Sequence, residues 1–557
     1  MLAGTVTSSA PASRGAGSAL EPLREPVFRA LWVASLVSNV GTWMQNVGGA
    51  WLMTSLTPSP VLVALMQTAT SLPVFLIGLP AGTLADLIDR RRLLLVTQTW
   101  MLVCAGLLGV LTVAGLTSPL VLLVLTFGLG LGATANNPAW QATTPEVVSR
   151  PRLPAAIALN AAGFNLARAV GPALGGLLVA ALGPGANFLL NAASFLGTII
   201  VLARWKRSDT VAGTSGELPR ETLLAATRSG LRYARHTPQL RAVLGRAGLF
   251  ILCASALWAL LPVVARRELG LEASGYGLLL AALGLGAVVG AGVYPRARAR
   301  WPAAQLVPAS VLVYAAMLLV LAWVRVVPIV CLALAVAGMG WMATNSSFQI
   351  AVQTGAPAWV RARVIASYLL VFQGGLAVGS AVWGGVADRL GDAVALTLAI
   401  AGLGLGLLVV RRWPLRELAE HEVRPSRHWL PPRVADELRP ERGPVLVTSE
   451  YSVEPPNSVA FVSAMRDMER VRRRDGAYRW GLYRDAAEPT RYVEVFLVES
   501  WAEHLRQHER SLVADQVVEA RVLGLVAGGQ PQKIQHLVWA SPDTSQGESG
   551  GDASAGA

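Results

Sequence analysis

The chain has 557 residues, of which 53% are hydrophobic and only 15% charged. Soluble globular proteins carry about 25% charged residues, so this composition excludes an ordinary soluble domain and makes lipid the main solvent. The net charge of +13 does not call for nucleic acid as a partner, because much of the arginine excess lies in short loops between apolar runs, where membrane topology requires it.

Residues 1–24 are rich in Ala, Gly and Ser around no apolar core, the composition of a disordered tail and not of a cleavable signal. Twelve apolar runs follow, at 28–52, 60–84, 93–115, 119–142, 155–182, 186–204, 243–265, 274–294, 305–324, 328–352, 364–387 and 393–410. Each is long enough to span a hydrocarbon core of ~30 Å, which takes ~20 helical residues. Arginines gather in every second loop: Arg90–Arg92, Arg150 and Arg152, Arg204 through Arg246, Arg296 to Arg300, and Arg361 with Arg363. The alternate loops near 53–59, 115–118 and 183–185 hold no Arg or Lys, and the others only Arg266, Arg267, Arg325 and Arg389. The positive-inside rule makes the Arg-rich loops cytoplasmic. The expectation is a multi-pass protein of the bacterial inner (plasma) membrane with both termini in the cytoplasm. Cys104, Cys253 and Cys331 all fall inside spans, so neither a disulfide framework nor a metal cluster is expected from them.

Residues 78–92 form a short positive hairpin between two spans: Gly78, Gly82, Asp86, Asp89, then Arg90, Arg91 and Arg92. A shift of 208 residues aligns two halves of the chain. Gly78, Gly82, Arg90 and Arg92 fall on Gly286, Gly290, Arg298 and Arg300, while Ala169, Val170, Gly171, Gly176 and Gly183 fall on Ala377, Val378, Gly379, Gly384 and Gly391. One offset serving two distant segments indicates an internal repeat of six spans, 25–204 and 241–411, joined by the basic linker 205–240. Within that linker, 221–236 reads as an amphipathic helix for the inner membrane surface. Asp86 falls on Tyr294, so the loop carboxylate exists in the first half alone.

In span five, Gly171, Pro172, Gly175 and Gly176 combine close helix packing with a missing backbone hydrogen bond, the ingredients of a bendable, tightly packed helix. Arg168 lies near the middle of this span, where a charge costs at least ~2.5–3.5 kcal/mol. Two roles are open to it: a fork of donors for an anionic or polar substrate, or a staple to carbonyls and amides of neighbouring helices. No Asp or Glu lies in the middle of any span, which argues against proton antiport through a mid-membrane carboxylate.

The loop at 78–92 resembles the one between the second and third helices of the major facilitator superfamily, and Gly171-Pro172…Gly175-Gly176 resembles the antiporter motif of its exporter branches. Together with Ala-Leu-Asn160-Ala and Phe-Asn-Leu-Ala-Arg168-Ala-Val-Gly-Pro-Ala-Leu-Gly-Gly176, they are similar to enterobactin-exporter-like and macrolide-efflux-like permeases, also called transmembrane secretion effectors. The resemblance covers residues ~25–410 and more. It implies an all-α membrane fold of twelve helices in two pseudo-repeats, working by alternating access. It also implies an inner gate at Gly82, Asp86, Asp89, Arg90, Arg91 and Arg92, and an outer gate at Gly171, Pro172, Gly175 and Gly176. An arginine that many of these exporters carry early in the fourth helix is missing here. In that fold spans one, four, seven and ten line the cavity. Asn39, Thr42, Trp43 and Asn46 share about a 100° arc of span one; Trp258 lies in span seven, and Asn345 and Gln349 share a face of span ten. With Arg168 these are the candidate cavity residues. Their alternative role is to join helices by buried amides at ~0.6 kcal/mol each.

After the spans, a Pro- and Arg-rich linker (412–443) precedes a compact pattern over 444–540, and 541–557 reads as a disordered tail. Strands at 445–453, 478–483, 492–498 and 534–539 and helices at 458–474 and 501–525, the latter broken near Ser511, give the order β-α-β-β-α-β of a small α+β ferredoxin-like domain. It resembles the dimeric domains related to antibiotic-biosynthesis monooxygenases, which implies a possible homodimer. His504 and His508 stand at i and i+4, but no third metal ligand is evident, and a solvated helix face with Glu503 and Glu509 is the expectation. Tyr451, Tyr478, Trp480, Tyr483 and Tyr492 read as sheet core and dimer contact before ligand groove. No catalytic set, metal site or cofactor is read anywhere. The chain thus reads as a secondary transporter, an exporter of a siderophore, drug or other secondary metabolite, and not an enzyme. Its expected partners are a small-molecule substrate and membrane lipids. The alternative is a membrane-anchored enzyme or ligand sensor acting through the C-terminal domain.

Overall fold

The computed structural model describes residues 20–205, 223–411, 420–426, 428–429, 439–531 and 533–540. Residues 1–19 of the expected N-terminal tail, the tail 541–557, most of the 412–443 linker and the 206–222 part of the basic linker lie outside the described residues, as do the side chains of Thr83, Asp86 and Leu87. The end of the expected N-terminal tail is a correction: Glu21–Arg24 forms a helical turn whose Glu21 pairs with Arg152 at 2.9 Å.

Twelve long helices match the twelve apolar runs. They are α1 (Pro26–Leu56), α2 (Pro60–Leu87), α3 (Arg90–Val113), α4 (Pro119–Val147), α5 (Leu153–Leu182) and α6 (Pro184–Arg204), then, beyond a shorter α7 (Leu223–His236), α8 (Pro238–Val263), α9 (Ala273–Arg300), α10 (Ala303–Trp323), α11 (Val327–Thr354), α12 (Ala358–Leu390) and α13 (Asp392–Val410). Proline opens five of them at Pro26, Pro60, Pro119, Pro184 and Pro238, where its missing N–H would have had no helical partner anyway. Among the described residues eleven helices are long and apolar enough to cross a membrane. The exception is α1. Its 31 residues make a rod of about 46 Å, but Asn39, Thr42, Gln45 and Asn46 dilute its apolarity. It packs along α5 and α6 inside the bundle, where Gln45 is buried and Asn39 half-buried, while Thr42 and Asn46 stay exposed.

The chain divides into two compact units. The first comprises residues 1–210, 246–347 and 369–412 and holds the membrane bundle. The 208-residue repeat is visible in its backbone. Gly183 ends α5 with φ +80° and ψ 168°, and its counterpart Gly391 ends α12 with φ +87° and ψ 160°. That left-handed conformation favours glycine, so the same turn occurs twice for the same reason.

The second unit comprises residues 211–245, 348–368 and 413–557. Its sheet is built from β1 (Val445–Ser452), β2 (Arg479–Arg484), β3 (Arg491–Val498) and β4 (Lys533–Val538), with α14 (Ser458–Asp475), α15 (Trp501–Arg510) and α16 (Val513–Leu523) between them. The strand order is β2-β3-β1-β4 with every pairing antiparallel, and the last helix breaks at Ser511–Leu512, next to the expected point. Alternation sends Val445, Val447, Phe496 and Val498 inward, all at most 3% exposed.

The amphipathic α7 does not present its apolar face to a membrane surface, as its sequence suggested. Tyr233 is 1% exposed, meets Trp359 edge to face at 5.7 Å and lies under the Arg474 guanidinium; α7 packs against α14. Amphipathicity reveals that a face must be covered, and here protein covers it. Arg474 also grips Asp475 at 2.7 Å and Asp515 at 2.6 Å, all three buried. Burial pushes the Asp475 carboxyl up to about 6 even against the pull of Arg474. The same carboxylates push the Arg474 guanidinium well above its usual value, so it stays charged; a buried ion cluster of this kind fixes geometry more than it adds net stability. Removing one member alone strands a buried charge: Asp515→Ala is expected to weaken this unit by about 3–5 kcal/mol. Hydrogen exchange of α14 and α16 peptides in the full-length protein reads the effect, and unaltered protection would disprove the role.

Candidate functional site: gates and polar groups of the bundle

The helix end remote from Arg90–Arg92 is called outer below, following the charge distribution. There α5 touches two partners with two stripes of small residues. A Cβ on Gly171 would lie 2.5 Å from Trp43 Cβ, and one on Gly175 would lie 2.8 Å from Met44 Cα, both on α1. One residue further round, a Cβ on Gly176 would lie 2.7 Å from the Ala273 carbonyl, and one on Gly277 would lie 2.8 Å from the Pro172 carbonyl. Hence Gly171 and Gly175 seat α5 within its own half, while Pro172 and Gly176 join it to α9 of the other half. The second half repeats the arrangement: Gly379 faces Ser255 and Leu252 on α8, and Gly384 faces Ala64 and Val61 on α2. Backbone-to-backbone approach of this kind is how helices associate where water exclusion gives no drive.

Four side-chain contacts reinforce the two junctions between the halves, and residue spacing gave no sign of them. Trp51 of α1 stacks on Tyr276 of α9 at 6.1 Å, with Arg266 over the Trp51 ring at 5.5 Å. Ser59 donates to Asp388 at 3.0 Å, and Thr68 donates to the Ala377 carbonyl at 2.8 Å. Their partners lie hundreds of residues apart, which no local pattern reveals.

At the inner end, the loop residues divide their roles. Asp89 caps α3 by accepting from the Arg92 N–H at 2.9 Å, a contact worth ~1 kcal/mol. Arg90 reaches Glu146 on α4 at 2.5 Å. Arg91 donates to the Leu202 and Ala203 carbonyls at 2.9 and 2.7 Å, where a cation matches the C-terminal dipole of α6. The Arg92 side chain is exposed. A Cβ on Gly82 would meet nothing within 4 Å among the described residues, so close packing does not explain this glycine in the present conformation.

The cavity candidates sort into groups. Asn39 donates to Ser35 and Thr42 to the Ser38 carbonyl, both within α1, and Thr42 and Asn46 are exposed. Trp43 and Arg168 come together: the guanidinium lies 6.0 Å from the Trp43 ring centroid, and Phe164 meets the same ring edge-on at 6.4 Å. Among the described residues Arg168 has neither a hydrogen-bond nor an ion-pair partner. The amides that do join helices are others: Asn191 donates to Gln45 at 2.5 Å and Asn187 to the Met44 carbonyl at 2.9 Å, while Asn136 accepts from Thr97 and Gln98. In the second half, Trp258 meets Trp341 at 5.6 Å. Trp341 itself centres a cluster with Phe250, Tyr314 and Phe372, and sequence reasoning missed it because a lone Trp in an apolar run carries no signal. Trp258 Nε1 is buried without an acceptor among the described residues. Asn345 donates to the Trp341 carbonyl at 2.9 Å. Gln349, one turn on, falls in the second unit and is exposed.

In the C-terminal sheet the aromatic candidates also separate. Tyr451 and Tyr492 are core, packed with tilted rings against Phe461 at 5.5 and 5.3 Å, and Trp480 donates to buried Glu494 at 2.9 Å. Tyr478 and Tyr483 are exposed. The expected solvated face of α15 is a correction: Glu503 and His504 are buried, and only Glu509 projects to solvent. Glu503 turns inward because Arg510 at 2.6 Å and Arg232 of α7 at 2.8 Å bind it, and these ion pairs hold its carboxyl below the usual range despite burial. Burial, with His508 and His536 alongside, pushes the His504 imidazole down to about 3.

Residues 17–543 match the family described as transmembrane secretion effector. The chain belongs to that family. It is 29% identical over 392 residues to an enterobactin exporter of Shigella boydii, covering 69% of this chain and 90% of that protein. It is 27% identical over 406 residues to the multidrug efflux pump Tap of Mycolicibacterium fortuitum, covering 71% and 97%. Solved structures share the fold at low identity: a bacterial homologue of the lysosomal transporter Spinster has a TM-score of 0.55 at 15% identity, covering 71% of this chain and 96% of that one. A bacterial homologue of ferroportin has 0.54 at 15%, covering 70% and 99%. The secretion effector is thus a multi-pass membrane transporter of the major facilitator fold, of the exporter type, with a small four-stranded domain after its bundle.

If the α5–α9 contact seals the outer side, a side chain at Gly277 must prop it open. Gly277→Val is expected to cost the sealed state about 1–3 kcal/mol, a roughly 5- to 150-fold shift in population. In a background lacking Cys104, Cys253 and Cys331, a Thr42→Cys probe should then react that much faster with an impermeant maleimide added outside. Equal rates with and without the valine would rule the seal out.

Proposed function

We propose that this secretion effector exports an anionic, aromatic small molecule of the siderophore or drug-like class across the bacterial inner membrane, with both termini in the cytoplasm. The observation that carries this reading is Arg168. It lies halfway along α5, beside the Trp43 ring, and among the described residues nothing occupies its donors. An uncompensated cation at that depth is costly unless water or a ligand meets it, and a planar fork matches carboxylate or catecholate oxygens. Among the described residues no hydrogen bond staples Arg168 to a neighbouring helix, which favours the substrate role over the stapling role left open by the sequence. Trp258 Nε1 and the Trp341 cluster supply a second, aromatic wall. The relatives named as enterobactin exporters and as Tap support the cargo class.

In this account Pro172, Gly175 and Gly176 permit α5 to bend and part from α9, while Asp86 engages the Arg90–Arg92 hairpin when the inner side closes. Gly82 then gains the close neighbour it now lacks. The C-terminal domain acts as a regulatory or dimerising module and not as an enzyme; the helix-free face of its sheet carries Leu446, Val495, Leu497 and Leu537 in register. A dimer predicts twice the chain mass by light scattering of the detergent-purified protein, falling to one chain in Val495→Glu. A particle of one chain mass before mutation would reject the dimer.

Removing the guanidinium tests the cargo. A charge-assisted hydrogen bond is worth about 1.5–3 kcal/mol, so Arg168→Gln should cut export of a catecholate substrate by ~10–150-fold in a strain stripped of its own pumps. Arg168→Lys should recover part of it. Undiminished export by Arg168→Gln would refute the role.

A further inference from the structure

Helix α15 has two working faces. One carries Glu503 and Arg510, which bind each other and, through Glu503, Arg232 of α7. The other carries His504 and His508, whose Nε2 atoms lie 3.3 Å apart. Strand β4 brings His536 to the same place, because its pairing with β1 sets His536 opposite Val447 on the inward face of the sheet. One ring nitrogen from each of the three imidazoles then lies within 4.8 Å of the others. Three of the chain's six histidines thus meet in one spot, although His536 is 28 or more positions away from the other two.

We propose that His504, His508 and His536 bind one divalent transition-metal ion of the zinc type. Two nitrogens held at ~2.0–2.1 Å by one tetrahedral zinc stand about 3.4 Å apart, and the observed 3.3 Å between the Nε2 atoms of His504 and His508 already meets that spacing. The third ring places a nitrogen within 4.8 Å of the other two and has to close by up to about 1.4 Å to reach the same spacing. The His504 ring is 2% exposed and its Nδ1 lacks a hydrogen-bond partner among the described residues, so the surroundings do not commit that ring to a structural bond. Trp501 walls the site against His504 at 5.4 Å and His536 at 6.4 Å, and Trp429 packs on His508 at 5.4 Å. A donor set of imidazoles alone favours zinc, copper or nickel over magnesium or calcium. Three protein ligands leave a fourth position for water or for a donor of another molecule. Occupancy ties β4 to α15, the helix that also holds α7 through Arg232, so the metal stiffens the contact between the tail and the linker that joins the two halves.

The test uses the full-length protein, purified on a tag without histidines and stripped with a chelator. Zn2+ is titrated in competition with a chromogenic chelator, and Co2+ is added separately as a spectroscopic probe. The expected result is one Zn2+ per chain and the visible absorption of tetrahedral Co2+. His508→Gln and His536→Gln should each weaken binding by more than the ~10–100-fold typical of outer-sphere changes, with circular dichroism unchanged. His428→Gln, whose ring pairs with Glu519, should leave binding intact. Absence of stoichiometric Zn2+, or binding that survives the loss of His536, overturns the site and leaves the three rings as a packed imidazole cluster. Neither result bears on Arg168 or on export.

Discussion

The structure turns on the contact of α5 with α9, where Gly176 and Gly277 bring two backbones together across the halves of the bundle. In lipid, apolar surface gains little by leaving one hydrocarbon environment for another, so helices adhere through close van der Waals approach and a few polar contacts. A glycine seam supplies that adhesion without interlocking side chains. It can separate and reseal at modest cost, which a leucine-packed interface cannot. The pseudo-equivalent Gly384 on α12 makes the same kind of close approach to α2 on the other side, so one packing device occurs twice. Trp51 on Tyr276 and Ser59 on Asp388 add specificity to it.

The repeat is close in the scaffold and broken in the chemistry. Gly183 and Gly391 adopt the same left-handed turn. Yet the position 208 residues after Asp86 is Tyr294, buried and bonded to Ser347 at 3.0 Å, and the one after Arg168 is Leu376, also buried. Arg168 and the loop carboxylate Asp86 therefore belong to the first half, and the aromatic cluster around Trp341 to the second. The two halves therefore share a scaffold and differ in the side chains they carry at equivalent positions, a lone cation in one and packed aromatic rings in the other.

The spans, the repeat and the strand order of the tail were legible because each rests on periodicity or on apolar length. What stayed hidden depends on where distant segments meet. Tyr276 and Asp388 gain meaning only from α1 and α2, and His536 only from the register of β4 against β1. Glu503 reads as a solvent-facing acid until Arg510 and Arg232 are placed beside it. The cover of α7 was misread for the same reason: amphipathicity fixes that a face is buried and is silent about what buries it.

The most direct measurement is the distance between the outer ends of α5 and α9 in a working transporter. Spin labels at Leu182→Cys and Glu272→Cys, in a variant lacking Cys104, Cys253 and Cys331 and reconstituted in lipid, report it by pulsed electron resonance. The account predicts two populations, a short one matching the sealed contact and a longer one, with their ratio altered by added cargo or by an impermeant ligand from the outer side. A single short distance that persists under every condition while export continues would contradict it.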